Sequence, residues 1–428
     1  MSCNVEYKYL REKKALALKK MYEMPFYLKE DVKADIYNLA TILPLKKIEG
    51  DDLLFGRGGV VTDEGQYIDN SAIERRVQYS YEYSMAEYID KKVVYGGYFV
   101  NHWGHFLVEA VSRLWYCLEN DETIDNYVFF VGYDEYREVE GNYKEFFELL
   151  GIYDKILLIN RPTQFKQVVV PELGYKWLSY YSKRLQQMFD KVSDSAKSLH
   201  KKSYPSKIFL TRSALPGIKK TEFGSEILDS FFENNGYKII SPERETLTDT
   251  ISYIREADIV ATVSGSLPHN LLFANKGKKV LILERNVLNN EIQVNVNQIK
   301  ELDVTYIDAN LALYPIDVGV GPFILSYKGM LEKYAKDNNM KEPNKKFEKA
   351  CYLRKSINKY FKAYRKMYSY RWFMYEWMIK YTNYIYEAYE DSLKYLGVYV
   401  YGDRPFMIKH YFSVRYVIKN IKKIIIRK

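Results

Sequence analysis

The sequence predicts an α/β protein with two Rossmann-like halves and a helical, basic extension at the C-terminus. Three observations predict it. The chain has 428 residues and is 47% hydrophobic, too long for one ordinary core and globular in composition. Between residues 207 and 309, short apolar runs alternate with amphipathic stretches, the pattern of βαβ crossovers and a parallel sheet. Charge is also uneven. The net charge is +9, yet residues 345–428 hold about 20 basic and 6 acidic side chains, about +14 in that stretch, which leaves about −5 on the rest. The expected division is therefore 1–200, 201–340 and a tail of 341–428.

The N-terminal stretch MSCNVEYKYLREKKALALKK is charged and has no continuous apolar segment, so it does not read as a signal peptide. No uncharged apolar run approaches the ~18 residues that a membrane-spanning helix needs. Cys3, Cys117 and Cys351 are scattered and form no CxxC, which argues against a disulfide framework or a structural zinc site. A cytoplasmic location is expected.

In the first half, GRGGVVTDEGQYID reads as hairpins around the turn at residues 63–65. YVFFVGY, KILLINR and QVVVPE read as strands, and NYKEFFELLG as a helix. Residues 176–202 read as a helix bridging the halves. The run VNHWGHFLVEAVSRLWY is unusual. On a continuous helix His105, Glu109 and Arg113 fall at roughly 0°, 40° and 80°, with His102 near 60°. A carboxylate one turn from an imidazole orients it and suits general-base chemistry near neutral pH. The same residues also fit an internally paired polar face, with Glu109 bridging His105 and Arg113. HxxH followed by Glu supplies metal-ligand types as well, but the HExxH pattern is absent.

In the second half, KIFLTR, YKIIS, DIVATVSGS, KKVLILE and DVTYIDA read as strands. SEILDSFFENNG, TLTDTISYIREA and LPHNLLFANKG read as helices. The stretch VSGSLPHNLLF ends a strand and starts a helix near Pro268. Backbone N–H groups there, with Ser264, Gly265, Ser266, His269 and Asn270, suit an anion such as a phosphate, or form an ordinary capped helix. Arg212 ends KIFLTR at the same sheet edge, where a guanidinium could meet a diphosphate. Glu284 ends KKVLILE there and could accept sugar or base hydroxyls, or simply face solvent.

GGVVTDEGQYID, VVYGGYFVNHWGHFLVEAVSRLW, KIFLTRS and GYKIISPERETLTDTISYIREADIVATVSGSLPHNLLFANKGKKVLILE occur in this order. Together they resemble glycosyltransferase family 61, in its bacterial capsule and surface-polysaccharide branch, over roughly residues 50–330. The resemblance implies a GT-B fold, two Rossmann-like domains facing a cleft. It implies inverting transfer of a sugar from a nucleotide-sugar donor to a hydroxyl of a glycan or glycolipid acceptor. By that resemblance the second domain binds the donor through Arg212 and the 264–270 turn, while His105 with Glu109, supported by His102 and Arg113, serves as base. Glu109 is the alternative base. Ser264 stands where many eukaryotic relatives carry a histidine. No Asp-x-Asp triplet occurs, so neither a metal nor another cofactor is expected.

The tail, with KYFKAYRKMYSYRWFMYEWMIKYTNYIYEAY, fits peripheral binding to an anionic membrane surface, or packing on the body or a partner subunit. No recognisable nucleic-acid module accompanies it, and nucleic acid is not an expected partner. Two other readings compete. One is a Rossmann-type oxidoreductase or nucleotide-sugar-modifying enzyme, disfavoured because no GxGxxG follows a strand. The other is a non-catalytic, membrane-associated scaffold of glycan assembly.

Overall fold

Strand β1 (Asn4–Tyr9) and helix α1 (Glu12–Tyr22) open the chain. In the computed structural model the described residues are 3–50, 56–72, 80–199, 203–215, 217, 221–286, 288–311, 321–347 and 350–368. After the short β2 (Tyr27–Lys29), the first sheet is built from β3 (Ala34–Asn38), β4 (Thr41–Lys46), β5 (Arg57–Val61), β6 (Glu87–Tyr98), β7 (Asn126–Phe130), β8 (Ile156–Ile159) and β9 (Thr163–Pro171). Helices α2 (Trp103–Val108) and α3 (Gly141–Leu150) lie between its strands. Two short strands, β10 (Tyr175–Lys176) and β11 (Tyr180–Ser182), pair with β2 and lead into α4 (Lys183–Leu199).

The order β8-β7-β6-β9 is parallel throughout, and β3, β4 and β5 add antiparallel strands beyond it. Succession therefore reverses between β6 and β9. A bridge between Leu45 and Gly132 ties the end of β4 to the end of β7, so the sheet curls around its own apolar face.

The second sheet uses β12 (Lys207–Leu210), β14 (Lys238–Ile240), β15 (Ile259–Val263), β16 (Lys279–Glu284) and β17 (Asp303–Asp308). The short pair β13 (Glu222–Phe223) and β18 (Phe323–Ile324) stands apart. Helices α5 (Ser225–Asn234), α6 (Leu247–Glu256), α7 (Glu291–Ile299) and α8 (Met330–Asp337) intervene, and α9 (Ala350–Tyr368) follows. Its order is β14-β12-β15-β16-β17-β1, all parallel. Strands β12, β15 and β16 are buried on both faces, which explains their unbroken apolar runs. Ile208, Val260, Val280 and Ile282 face one core, while Phe209, Ala261, Leu281 and Leu283 face the other.

Residues 4–22 were counted by sequence with the first half, but they complete the second sheet. β1 pairs with β17, and Lys14 of α1 is buried against Glu284. The sequence shows no sign of this because the partners lie about 300 positions apart. The bridging helix expected at 176–202 is α4, which packs on α3 and the 110–119 segment of one half and on α6 of the other. One continuous apolar core joins the facing sides of the two sheets, holding Val94, Phe106, Phe129 and Val169 from the first half and Ile208, Leu271 and Ile282 from the second.

Among the described residues no helix is long and apolar enough to cross a membrane. Helix α9 docks on β13 and β18. The remainder of the basic tail, 369–428, lies outside the described residues.

Candidate active site

In open parallel sheets, ligands bind beyond the carboxyl ends of the strands, where succession reverses. Both sheets have such a point, and both sequence motifs stand there. VNHWGHF leaves the end of β6. Arg212 and the Ser264–Ser266 turn leave β12 and β15, the neighbours across the reversal of the second sheet.

His102 is the extended residue before α2, and Phe106 N–H donates to its carbonyl at 2.8 Å. One turn on, His105 Nδ1 lies 2.9 Å from Glu109 Oε1. The imidazole is 38% exposed and the carboxylate 7% exposed, so the ring faces outward with the acid behind it. With Nδ1–H donating to Glu109, Nε2 carries the free lone pair. The His102 and His105 rings meet edge to face, 4.8 Å between centroids. Burial holds the His102 pKa below the usual imidazole value, and the charges of His105 and Arg212 push it the same way.

The helix does not continue as the wheel supposed. Glu109 has φ −115° and ψ −57°, and residues 110–119 form a 3-10 helix. At about 120° per residue instead of 100°, Arg113 leaves the row. Its guanidinium is buried and donates to the carbonyls of Pro171, Asn70 (2.6 Å) and Ala72 (2.8 Å), and it lies 5.4 Å from the Tyr95 ring centroid. Arg113 braces the first sheet, so the row of four expected on one face is a row of three. It still shares a small recess with Gly97, Tyr98, Glu109 and Leu173.

The second motif differs in kind from expectation. The helix after Gly265 is a seven-residue 3-10 segment, Leu267–Phe273. Ser264 N–H extends the ladder to Leu283 O at 2.8 Å, and its Oγ accepts from Arg285 N–H at 3.1 Å. His269 is buried, with Nδ1 2.9 Å from Gln293 Oε1. Gln293 donates in turn to Asn297 at 2.7 Å, which orients its amide so that Oε1 faces the imidazole. Asn270 accepts from Trp103 Nε1 at 2.8 Å. His269 and Asn270 therefore join the turn to α7 and α2. They do not stand on an open edge. Glu284 is likewise no open acceptor. It is 3% exposed and 2.7 Å from Lys14 Nζ. Burial raises its pKa, and Lys14 opposes that rise. Gly265, the half-buried Ser266 and the half-buried Arg212 remain at the edge.

The two motifs touch. A Cβ on Gly104 would lie 2.5 Å from Ser266 Cβ and 3.1 Å from His269 Cδ2, so only glycine lets α2 seat on the turn. Gly104→Ala should lose about 1–3 kcal/mol to overpacking, more than the ~1 kcal/mol that alanine adds to helix propensity. The expected result is a lower denaturation midpoint together with weaker donor binding, measured by chemical melts and calorimetry.

Sequence reasoning missed Arg285 and Lys14. Arg285 had a visible signal, since it follows Glu284 at a strand's carboxyl end. Lys14 had none. Among the described residues no group of three or more His, Cys, Asp or Glu side chains gathers as a metal site would require.

No curated protein matches the chain. The family model described as Glycosyltransferase 61 matches residues 103–281, from the first residue of α2 into β16, and so takes in His105, Glu109, Arg212 and the 264–270 turn. Over that stretch, which is less than half of its length, the chain is similar to glycosyltransferase family 61.

Proposed function

We propose that the protein is an inverting, metal-independent glycosyltransferase of GT-B type that extends a cell-surface polysaccharide from a nucleotide-sugar donor. The observation that carries this reading is the direct contact of the two motifs. An oriented imidazole stands one residue from Gly104, which seats on Ser266, and the Arg212 charge reaches His102. A base and a cationic anion site thus share one edge.

In this mechanism an acceptor hydroxyl gives its proton to His105 Nε2, and Glu109 stabilises the imidazolium. The oxygen attacks the anomeric carbon from the face opposite the leaving group. The bond from that carbon to the diphosphate oxygen breaks, and the nucleoside diphosphate departs with the electron pair. Arg212 offsets the charge that develops there. The exposure of His105 favours it over Glu109 as the base. The absence of an Asp-x-Asp triplet and the presence of guanidinium groups favour cationic over metal stabilisation. The acceptor's lipid linkage and a peripheral membrane location rest on the basic tail alone.

The test is nucleotide release from UDP-, GDP-, CMP- and dTDP-sugars, with and without EDTA and with glycan acceptors. The expected result is release from one donor, insensitive to EDTA and lost in Arg212→Ala. Absence of both turnover and donor binding by calorimetry would instead favour a scaffold.

A further inference from the structure

A seven-residue 3-10 segment beginning Leu-Pro has few aligned N–H groups at its start, so its dipole contributes little to holding an anion. Positive charge at the Ser264–Ser266 turn must come from side chains. Arg212 is one. Behind the turn lies a second guanidinium, Arg285, only 3% exposed.

Gly265 has φ +130°, and a Cβ there would sit 2.4 Å from Arg285 Nη2 and 2.8 Å from Cζ. The missing side chain is what lets the guanidinium lie flush against the turn. Several contacts make turn and cation one rigid unit. Arg285 N–H donates to Ser264 Oγ, Asn290 Nδ2 donates to Gly265 O at 3.1 Å, and the guanidinium stacks 3.9 Å from the Phe323 centroid. Its carboxylate partner, Glu222, is buried and 3.3 Å from Nη1, a long contact for a charge-assisted bond. Nε is buried with no hydrogen-bond partner among the described residues. Burial lowers the Arg285 pKa to about 10, with Arg212 contributing to the fall, so the group stays cationic at neutral pH. Glu284, the next residue back, is already held by Lys14.

We propose that Arg285 is a positioning residue for the leaving group. It is a fixed cation behind Gly265 that, with Arg212, makes the turn selective for a diphosphate over an uncharged nucleoside. This rests on the reading of the turn as the donor site.

The test uses the full chain and calorimetry with UDP, GDP, CDP, dTDP, inorganic pyrophosphate and the matching nucleosides, alongside thermal melts. Arg285→Gln should weaken diphosphate binding about tenfold, about 1.4 kcal/mol, with nucleoside binding unchanged. Arg285→Lys should recover part of it. Glu222→Gln should act in the opposite direction and tighten diphosphate binding about threefold, because it removes the counter-charge. A merely structural ion pair predicts that both variants weaken every ligand alike, and that result would overturn the inference. So would diphosphate affinity unchanged within twofold in Arg285→Gln. If Arg285→Gln does not fold, Glu222→Gln decides, with tightening in support and weakening against. A wild-type chain that binds no diphosphate at all would remove the donor-site reading and the inference with it. Wild-type binding with indifferent variants would remove the inference alone.

Discussion

His105→Ala should lower the transfer rate by about 10²–10⁴-fold, the usual contribution of a positioned general base, while leaving donor affinity nearly unchanged. The separation follows from geometry. His105 bonds to Glu109 on its own helix, whereas the turn next to it is held by Trp103, Asn270 and the absent side chain of Gly104. Glu109→Gln distinguishes the two carriers of basicity. The glutamine carbonyl still accepts Nδ1–H, so the imidazole keeps its tautomer and loses only the negative charge behind it. If His105 is the base, Glu109→Gln should retain substantially more activity than His105→Ala. If Glu109 is the base, the order reverses, since an amide takes no proton. Single-turnover rates at saturating donor separate this from binding. Equal wild-type rates in both variants would remove the dyad from the mechanism.

How much of this was legible depended on the length scale of the interactions. The second sheet was readable because β12, β15 and β16 are buried on both faces and carry unbroken apolar runs between helical stretches. The i,i+4 contact of His105 with Glu109 was readable because both lie within one turn. The path of Arg113 was not, because a change from 100° to about 120° per residue leaves no mark in an apolar sequence. Nor was the burial of Glu284, which depends on a lysine 270 positions earlier. β1, NVEYKY, alternates polar and apolar residues at the edge of the second sheet, and nothing local says which sheet it joins. Arg285 shows a further limit. Its position at a strand end was visible, but its role depends on a glycine twenty residues earlier having room for no side chain.

Lys14→Met should destabilise the folded chain by about 3–5 kcal/mol, the scale for removing one partner of a buried ion pair. Lys14 Nζ is 2.7 Å from Glu284 and 2.6 Å from the Asn286 carbonyl, and it is 3.8 Å from Asp308. Its removal leaves two buried carboxylates close together, with Arg11 at 3.2 Å from Asp308. The effect depends on pH in a definite direction. Burial already raises the Glu284 pKa, and Lys14 is the main force opposing that rise. Without Lys14 the folded chain holds the Glu284 proton more tightly than the unfolded chain does. The variant therefore gains stability as pH falls toward the ordinary carboxylate range and loses it as pH rises above that range. The gap from wild type should be widest near neutrality and narrow in acid, as followed by denaturant melts across pH. Adding Glu284→Gln to Lys14→Met should recover more than half of the loss, because the uncompensated charge is the larger part of the cost. A gap independent of pH, or a double variant no better than the single one, would mean that packing around α1 and not charge holds the N-terminal segment in place. The result bears on the donor side directly. Glu284 lies between Leu283 and Arg285, whose backbones both bond to Ser264, so the charge that Lys14 neutralises sits beside the start of the turn proposed to bind the donor.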